Sequence, residues 1–472
     1  MTPWIKTGGL ADVCGSLPQA LKRAGENVCL VLPGYHSVMQ TIEAPEFLTM
    51  LELPLGTVTL CRSDHDGTQV LLVNHESFTN RPGNPYMEDA DRPWPDNAQR
   101  FALFSQAICH IALNKAGLDW QPNIVHCHDW QTGLVPAMLS LEPFAPATVF
   151  TIHNLAYQGN VSMETYHELN LAEELLTQDG LEFWGQASFI KGGLAYADRV
   201  NTVSQSYANE ITTSAFGCGM EGLLQYRKDK LSGILNGIDT DNWDPSTDPH
   251  IAQTYTFKTI EAKAQNKRDL QRTLKLDEDS EAVLFGVISR LAVQKGIDLI
   301  VEAISQIGCK KLQLAVLGSG DSELQTQLVE LAQSHPKRIA IEIGFNETLS
   351  HKIEAGADVF LMPSRYEPCG LNQMYSHRYG TLPLVTRVGG LADTVIDIDD
   401  NPDHANGFVI STANSLALQQ GIVKAIKFYN DENSWKNMQR NAMQSNYSWT
   451  ESASKYLSLY RELLPTKVSQ TP

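Results

Sequence analysis

The stretch Ser364-Arg365-Tyr366-Glu367-Pro368-Cys369-Gly370-Leu371 follows an apolar run at residues 357–362 and precedes a helix-like pattern at residues 372–379. This order predicts a buried parallel strand, a tight turn and a helix. Such a turn lies at the carboxyl edge of an open α/β sheet, where ligands bind. Glu367 and the backbone N–H groups around Gly370 would then face one site, with an anion held on the amides. An ordinary βα turn with a solvated glutamate is the alternative.

The composition is that of a globular, acidic protein. The chain has 472 residues, of which 42% are hydrophobic and 19% charged, and its formal net charge is -18. This length exceeds what one core supports, so we expect two or three domains. The acidic balance argues against a nucleic-acid partner or an anionic membrane surface, because both select basic patches. An anionic ligand would therefore be held by a few local cations and helix N-termini.

Cysteine usage and hydropathy indicate a reducing compartment. The eight cysteines are scattered, and no C-x-x-C pair occurs among them. This pattern predicts neither a disulfide framework nor a zinc knuckle. The sequence also contains no apolar run of about 18 residues and no basic-then-apolar leader, so we expect neither a membrane span nor a signal peptide. A cytoplasmic protein is the resulting prediction.

Two cations of the second half are predicted to meet at a sheet edge. A strand pattern at residues 283–288 is followed by Arg290, and Lys295 precedes a helix pattern at residues 297–307. Because a strand tip and the start of the next helix lie at the same edge, both side chains would converge there. Two cations beside a helix N-terminus can clamp a diphosphate. Two solvated surface cations are the alternative.

A glycine pair near the start of the chain suggests a second phosphate cradle. Lys6, Gly8 and Gly9 stand before apolar residues at helical spacing. Close backbone approach, a helix dipole and a lysine charge suit a phosphate, although the motif is not G-x-G-x-x-G, and a plain glycine turn is the alternative. The stretch Gly8-Gly-Leu-Ala-Asp-Val13 recurs as Gly389-Gly-Leu-Ala-Asp-Thr394. The repeat predicts two doubly wound α/β domains that face each other across a cleft.

Polar residues also follow two predicted strands of the first half. His126, His128 and Asp129 end one strand pattern, and His153 ends the next. No third ligand at fixed spacing accompanies the two histidines, so we prefer packed or hydrogen-bonded imidazoles to a metal site. Asp129 is expected to point into a cleft. The acidic run at residues 397–403 lacks the glycine and distal glutamate of a calcium loop and is predicted to be a solvated loop.

Several motifs, spread over nearly the whole chain, carry a family resemblance. They are Lys6-Thr-Gly-Gly-Leu10, His126-x-His-Asp-Trp130, Thr151-Ile-His-Asn-Leu-Ala-Tyr-Gln-Gly159, Asn236-Gly-Ile-Asp239, Ser289-Arg290 with Lys295-Gly296, Gly318-Ser-Gly-Asp321 and Glu367-Pro-Cys-Gly-Leu371. With them the chain resembles the bacterial glycogen synthases, which are retaining glucosyltransferases related to plant starch synthases. The resemblance implies the GT-B arrangement, in which two Rossmann-like domains enclose a nucleotide-sugar.

The run at residues 241–250, rich in Asp and Pro, is typical of a linker and predicts a domain boundary, and the resemblance implies that the last helix returns to the first domain. We expect an acceptor-side domain at residues 1–240, a nucleotide-sugar-binding domain at residues 250–449, and a C-terminal helix at residues 450–466 that packs back on the first domain. Family members begin with a short apolar strand ahead of the Lys-Thr-Gly-Gly turn, and this sequence has none before Lys6. The first strand of the first sheet is therefore expected to be missing, which would leave ladder groups unpaired.

Roles for individual residues follow from the same resemblance. The residues assigned to catalysis are Glu367, His153, Asp129 and Lys6. The residues assigned to donor binding are Lys6, Gly8, Gly9, Asn236, Arg290, Lys295, Tyr366, Cys369, Gly370 and Leu371. In this assignment His153 contacts the glucose, Asp129 shapes the acceptor side, and Glu367 holds sugar hydroxyls near the anomeric carbon. Arg290 and Lys295 would neutralise the diphosphate that leaves.

The activity implied is transfer of glucose, with retention, from ADP-glucose to the non-reducing end of an α-1,4-glucan primer. No metal or cofactor is implied. UDP-glucose is an alternative donor. A GT-B transferase with another donor, and a glucan-binding protein whose catalysis is impaired by the missing strand, are the alternative functions. A dinucleotide oxidoreductase fits poorly, since no G-x-G-x-x-G follows a strand pattern.

Two routes to retention stay open at this point. A carboxylate nucleophile would form a glucosyl-enzyme, as in retaining glycosidases. The resemblance implies instead a front-face attack, in which the departing phosphate oxygen takes the proton of the acceptor hydroxyl. We prefer the second route.

Overall fold

The structure is a computed structural model that describes residues 1, 4–5, 8–88, 92–308 and 311–464. Residue contacts divide it into two compact units, one formed by Met1–Gly237 with Trp449–Pro472 and the other by Ile238–Ser448. Each unit has a hydrophobic core of its own, built around parallel strands. In the described part of the chain, no helix has both the length and the apolar character needed to cross a membrane.

The first unit alternates strands and helices along the chain. Its strands are β1 (Cys29–Pro33), β2 (Glu46–Leu53), β3 (Gly56–His65), β4 (Thr68–Asn74), β5 (Ile124–His128), β6 (Ala147–Ile152), β7 (Asn160–Val161), β8 (Glu182–Phe183), β9 (Gln186–Ser188), β10 (Arg199–Thr202) and β11 (Leu231–Gly233). Its helices up to that point are α1 (Gly9–Arg23), α2 (His36–Thr41), α3 (Glu76–Thr79), α4 (Asn97–Ala112), α5 (Leu134–Leu139), α6 (Met163–Glu168), α7 (Phe189–Tyr196), α8 (Gln205–Glu210) and α9 (Glu221–Tyr226).

The strands of the first unit form separate sheets. One has the order β1-β4-β3-β2, in which β1 is parallel to β4 and the others form an antiparallel meander. Another has the order β11-β10-β6-β5 and is parallel throughout. A short antiparallel sheet, β7-β9-β8, lies apart. β4 and β6 are buried along nearly their whole length, as expected of apolar strands covered on both faces.

The second unit is doubly wound around one parallel sheet with the order β14-β13-β12-β15-β16-β17. Its strands are β12 (Val283–Ile288), β13 (Leu312–Gly318), β14 (Ile339–Ile343), β15 (Val359–Met362), β16 (Leu382–Thr386) and β17 (Phe408–Ile410). Its helices are α10 (Lys263–Thr273), α11 (Ile297–Gln306), α12 (Ser322–Ser334), α13 (Glu347–Gly356), α14 (Asn372–Arg378), α15 (Gly389–Thr394), α16 (Ser415–Tyr429) and α17 (Glu432–Gln444).

The last helix, α18 (Trp449–Leu463), packs on the first unit. Asn201 Nδ2 donates to Tyr456 Oη at 3.0 Å, and Arg199 pairs with Glu462 at 3.1 Å. Ser452 Oγ donates to the Leu235 carbonyl at 2.6 Å. These bonds hold α18 beside β10 and the residues after β11, and apolar residues of α1 and α18 share one core cluster. Residues 465 and 466 of the expected helix lie outside the described residues.

The prediction of a solvated loop at residues 397–403 is wrong for its first residue. Asp397 is buried, and its carboxylate accepts hydrogen bonds from the Val409 N–H and from Lys424 Nζ. Lys424 also pairs with Asp399 at 2.6 Å. With the Asp399 N–H, three donors compensate the burial of the charge, so this carboxylate holds the start of the loop against β17 and α16.

A buried ionisable cluster joins α10 and α13 in the second unit. Lys263 Nζ donates to the carbonyls of Glu354 and Ala355 and, at 2.6 Å, to Thr381 Oγ1. Ser376 Oγ donates to Glu354 Oε2 at 2.7 Å. Burial raises the pKa of Glu354 to about 8 and lowers the pKa of Lys263 to about 7. Near neutral pH, Glu354 and Lys263 can therefore each gain or lose a proton.

We expect Glu354→Gln to flatten the pH dependence of stability in the second unit. With a folded pKa of about 8 against an ordinary 4.5, Glu354 binds more protons in the folded state between those values. The free energy of unfolding should thus fall as pH rises, by at most about 1.4 kcal/mol per pH unit. The pKa of Lys263 is lowered from 10.5 to about 7 in the folded state, so this lysine opposes the trend only above about pH 7.

Urea unfolding of the second unit between about pH 5 and pH 7 measures the effect. The matched control is Glu330→Gln on the exposed face of α12, which should retain the wild-type slope. If the unfolding free energy of Glu354→Gln varied with pH as in the wild type, the assignment of this pH dependence to Glu354 would be wrong.

Candidate active site

The carboxyl edge of the six-stranded sheet gathers the predicted donor-binding residues of the second unit. β12 and β15 are parallel neighbours, with Phe285 opposite Val359. Arg290 and Lys295 follow β12, and the Glu367 turn follows β15. The strand, turn and helix predicted around Glu367 are confirmed as β15, the turn after it and α14. Adjacent strands thus bring both cations and the carboxylate to one edge, as the sequence predicts.

An ion pair forms the centre of this edge. Lys295 Nζ donates to Glu367 Oε2 at 2.5 Å, and Ser364 Oγ donates to the same oxygen at 3.1 Å. The Glu367 side chain is 8% exposed and that of Lys295 is 21% exposed. Sequence reasoning assigned Lys295 to the diphosphate and Glu367 to the sugar, and it missed both their pairing and the role of Ser364. The signal that could have revealed this pair is that Lys295 and Glu367 both follow strands that are neighbours in one parallel sheet.

Glycines with positive φ let the turns around this pair interlock. Gly296 has φ 71°, and a Cβ there would lie 2.2 Å from the Pro363 carbonyl oxygen. Gly389 has φ 44°, and its Cβ would lie 2.0 Å from the Glu367 carbonyl oxygen. The same carbonyl accepts the Gly390 N–H at 3.1 Å. The turns after β12, β15 and β16 are therefore in direct backbone contact, which fixes the position of Glu367.

We expect Gly296→Ala to destabilise the second unit by several kcal/mol. A left-handed alanine costs about 1–2 kcal/mol, and the clash with a backbone carbonyl adds to it because backbone atoms do not move aside as side chains do. Thermal unfolding measures the loss. Gly222→Ala in α9 is the control, since a Cβ there meets nothing within 4 Å, and it should leave stability unchanged or slightly raised. Equal unfolding midpoints in both variants would contradict the role of Gly296.

Arg290 lies along the same edge. Its Nη2 donates to Gln294 Oε1 at 3.0 Å, and Gln294 Nε2 donates to the Tyr366 carbonyl at 3.3 Å. Arg365 donates its backbone N–H to the Gln294 carbonyl and pairs with Asp298 at 2.6 Å. Gln294, which sequence reasoning also missed, therefore joins the turn of Arg290 to the turn of Glu367.

The remaining predicted residues of the Glu367 turn are Cys369, Gly370 and Leu371. Cys369 is buried, whereas Gly370 and Leu371 are partly exposed. Gly370 has φ 71°, so its backbone takes a conformation that favours glycine. Asn372 Nδ2 donates to the Ile288 carbonyl at 2.6 Å, which ties the start of α14 to the end of β12. The Gly370 turn therefore lies at the same sheet edge as the Lys295–Glu367 pair.

In the first unit, the predicted histidines form a connected row at the ends of β5 and β6. His126 bonds Tyr460 Oη and Thr151 Oγ1, each at 2.7 Å. His128 Nδ1 lies 3.1 Å from His153 Nε2, a hydrogen bond in which one ring nitrogen donates and the other accepts. Burial lowers the pKa of His128 to about 4 and puts the pKa of His153 well below its ordinary value. Both rings are thus neutral at physiological pH.

Asp129 is held by the backbone. It is buried at φ 56°, and its Oδ1 accepts the N–H groups of His153 at 2.7 Å and Asn154 at 3.4 Å. Burial raises the pKa of Asp129 to about 7, and the two backbone bonds act against that rise. The carboxylate expected to point into a cleft therefore positions the loop after β6, including His153.

The other predicted residues of the first unit lie at the ends of elements. Gly8 and Gly9 are exposed at the start of α1, where Gly8 has φ 153°. Asn236 is buried beyond β11, and within the described chain its Oδ1 has no hydrogen-bond partner. Lys6 lies outside the described residues. No cluster of three or more His, Cys, Asp or Glu residues suited to a metal ion occurs in the described ranges.

Comparisons with known proteins cover both units. Residues 1–226 match the family of starch synthase catalytic domains, and residues 267–444 match glycosyl transferases group 1. A glycogen synthase of Cellvibrio japonicus is 49% identical over 467 residues, covering 98% of this chain and 97% of the relative. Glycogen synthase 1 of Methylococcus capsulatus is 46% identical over 467 residues, covering 98% of this chain and 94% of the relative.

Solved structures agree with these relatives. The catalytic domain of starch synthase IV from Arabidopsis thaliana, bound to ADP and acarbose, matches with a TM-score of 0.88 and 33% identity, covering 98% of this chain and 97% of that one. A sucrose-phosphate synthase from Thermosynechococcus elongatus matches with a TM-score of 0.60 and 18% identity, covering 97% of this chain and 94% of that one. At this identity the match shows a likeness of fold only. Two α/β units on parallel sheets with this edge define a glycosyltransferase of the GT-B class. The chain belongs to the glycogen synthase family. The predicted fold class, enzyme class and family are confirmed.

Proposed function

We propose that the protein elongates α-1,4-glucan by transferring glucose, with retention, from ADP-glucose to the non-reducing end of a primer. The observation that carries the proposal is the Lys295–Glu367 pair beside Arg290 and the Gly370 amides at one sheet edge. A nucleoside diphosphate needs cations and amide donors, and a sugar needs a fixed carboxylate. The starch synthase structure bound to ADP and acarbose supports the choice of nucleotide and of glucan.

On the donor side, Arg290 and Lys295 would receive the two phosphates, and the amides around Cys369, Gly370 and Leu371 would bind their oxygens. Lys295 would then contact both the diphosphate and Glu367, so the pair links the leaving group to the sugar. Tyr366 follows β15 on the same edge and would approach the nucleoside. Charge that gathers on the departing diphosphate meets preorganised cations, which is the largest expected contribution to rate.

The first unit would supply neutral hydrogen-bonding groups. His153 and His128 are uncharged near pH 7, so His153 can exchange hydrogen bonds with sugar hydroxyls as a neutral group. The unpartnered Oδ1 of buried Asn236 is a second acceptor for a hydroxyl. Gly8 and Gly9 would bring the N-terminal amides of α1 to the diphosphate, assisted by Lys6.

Front-face attack is the route to retention that we propose. Each predicted catalytic carboxylate is already bonded, Glu367 to Lys295 and Ser364, and Asp129 to two backbone N–H groups. A carboxylate whose oxygens accept such bonds is a weaker nucleophile than a free one. The acceptor oxygen would form its bond to the anomeric carbon as the carbon–phosphate oxygen bond breaks. Its proton would pass to that phosphate oxygen, so no enzyme base is consumed.

Incubation with ADP-glucose or UDP-glucose and a glycogen primer tests the function through release of the nucleoside diphosphate. We expect primer-dependent release with ADP-glucose and weaker release with UDP-glucose. Release with another sugar nucleotide only would indicate a GT-B transferase with a different donor. Glycogen binding without release from any donor would indicate a glucan-binding protein with impaired catalysis. The cytoplasmic location expected from the sequence stays a prediction.

A further inference from the structure

The hairpin formed by β8 and β9 carries an exposed tryptophan at its tip. Phe183 pairs with Gln186, so Trp184 and Gly185 form the two-residue turn between the strands. Trp184 is 83% exposed, whereas tryptophan is highly buried on average. A single exposed apolar residue needs no explanation by itself, so the turn that holds this one decides its weight.

The turn favours a different residue at this position. Trp184 has φ 52° and Gly185 has φ 77°. Positive φ at both central residues is the sign pattern of a type I′ turn, which selects Asn-Gly, Asp-Gly or Gly-Gly. A bulky side chain is sterically unfavourable there, and burial does not offset this because the ring lies in solvent. The fold of the hairpin therefore does not account for a tryptophan at its tip.

Neighbouring groups hold the exposed ring in place. Phe183 contacts it edge to face, with 6.4 Å between the ring centroids and 72° between the planes. Gly219 brings backbone close to both rings, since a Cβ there would lie 3.0 Å from Phe183 Cζ and 3.6 Å from Trp184 Nε1. The Gly185 N–H donates to Glu182 Oε1 at 2.9 Å, which fixes the turn. A ring supported in this way loses little freedom when a ligand covers it.

Hydrogen bonds join this hairpin to the loop that follows β6. That loop, residues 153–159, begins at His153, which is assigned to the sugar. Gln158 Nε2 donates to the Cys218 carbonyl at 2.9 Å, next to the glycine that supports the two rings. Ser188 Oγ of β9 donates to the Gln158 carbonyl at 3.2 Å. The hairpin tip and the loop of His153 are therefore parts of one connected structure within the first unit.

We propose that Trp184 is a stacking platform for a glucose unit of the glucan acceptor, at a distance from the end that receives the new glucose. This role rests on the transfer function proposed above. One face of a pyranose ring is lined by C–H groups and can lie flat on the apolar face of an indole. The hydroxyl groups at its rim can bond amides such as that of exposed Asn160, whose Nδ2 donates to Gln158 Oε1 at 3.0 Å.

The charge of the chain favours glucan as the occupant. Nucleic-acid bases also stack on exposed rings, but a nucleic-acid strand carries one negative charge per unit. The formal net charge of -18 repels such a strand and does not repel a neutral polysaccharide. A long acceptor also has units to spare, because only its last unit enters the site of transfer.

The test replaces Trp184 by Asn, the residue that the turn favours. Trp184→Asn should keep or raise the thermal unfolding midpoint, raise KM for glycogen about tenfold, and leave kcat and KM for ADP-glucose within about twofold. With maltotriose as acceptor, KM should stay within about twofold, because so short a chain ends before the platform. Trp184→Tyr keeps an aromatic ring and should recover most of the loss. Phe144→Asn removes a 90% exposed ring from another turn of the first unit and should behave as wild type.

Co-sedimentation with glycogen in the absence of donor measures the platform separately from transfer. The wild-type chain should bind glycogen at least about fivefold more tightly than Trp184→Asn does. If the wild type binds glycogen in this way and releases no diphosphate from any donor, the proposed function fails and the platform stands.

The platform is overturned if folded Trp184→Asn binds glycogen and uses it as the wild type does, or if Phe144→Asn loses as much. An equal loss with maltotriose overturns it as well. A change in the sedimentation coefficient of Trp184→Asn without glucan would mean that the ring contacts a second copy of the chain instead. If Trp184→Asn does not fold, Trp184→Gly, which also suits the turn, is measured in its place with the same outcomes.

Discussion

Glu367→Gln is expected to lower kcat for glucose transfer by about 10²–10³, the effect of removing one preorganised electrostatic group. Glutamine preserves the size of the side chain and can still accept the Ser364 hydroxyl. It removes the negative charge that Lys295 contacts at 2.5 Å and that steadies the developing positive charge on the sugar. KM for the donor should change by less than threefold, because the lost interaction strengthens only in the transition state. Initial rates of ADP release with glycogen primer measure both constants.

The control for this variant is Glu330→Gln, an exposed change in α12 of the same unit, which should leave kcat within twofold. Thermal unfolding must show that Glu367→Gln still folds, since Glu367 is buried and bonded. A folded Glu367→Gln enzyme with wild-type kcat would remove Glu367 from the reaction.

Lys295→Ala is expected to lower kcat by about 10² and to raise KM for ADP-glucose about tenfold. The diphosphate loses a cation, and Glu367 is left nearly buried without its partner, so both binding and chemistry suffer. Arg290→Ala should raise KM with a smaller effect on kcat, since Arg290 bonds Gln294 and its loss leaves the Lys295–Glu367 pair in place. Initial rates over a range of ADP-glucose concentrations separate the two constants.

The double variant Lys295→Ala, Glu367→Gln shows whether the two residues act as a unit. If they do, the double variant should lose little more activity than the worse single variant, because each single change already breaks the pair. Fully multiplicative losses would mean that the two side chains act independently. Lys337→Ala, an exposed change in the turn before β14, is the charge-matched control and should behave as wild type.

Most of the donor-binding residues at the carboxyl edge of the six-stranded sheet can be predicted from local sequence pattern. The apolar run before Glu367, the run before Arg290 and the glycine pair at Gly389 each mark a strand end or a helix start within a few residues. In parallel α/β units all strand ends meet at one edge, so the residues that follow them are brought together whatever the details of packing. Local pattern alone therefore places Arg290, Lys295 and the Glu367 turn at one edge.

The sequence pattern did not show which side chains at that edge pair with each other. Lys295 can reach a phosphate or Glu367, and only the pairing of β12 with β15 and the close contact of Gly296 with Pro363 decide for Glu367 in this structure. The sequence predicted that Asp129 faces a cleft, but it did not predict that its Oδ1 accepts two backbone N–H groups of the loop after β6. Asp397 was expected in solvent, and it is buried against β17.

The sequence by itself determined the α/β class, the positions of most strands and helices, the family, and the residues that stand at strand ends. These properties depend on periodicity and on motifs a few residues long, which the chain carries locally. The tertiary structure alone decided which charges pair, that Asp129 braces His153, and that β1 and β5 line one apolar cavity. Those features depend on contacts between segments far apart in the chain, whose distances are set by strand order and packing, and no local pattern records them.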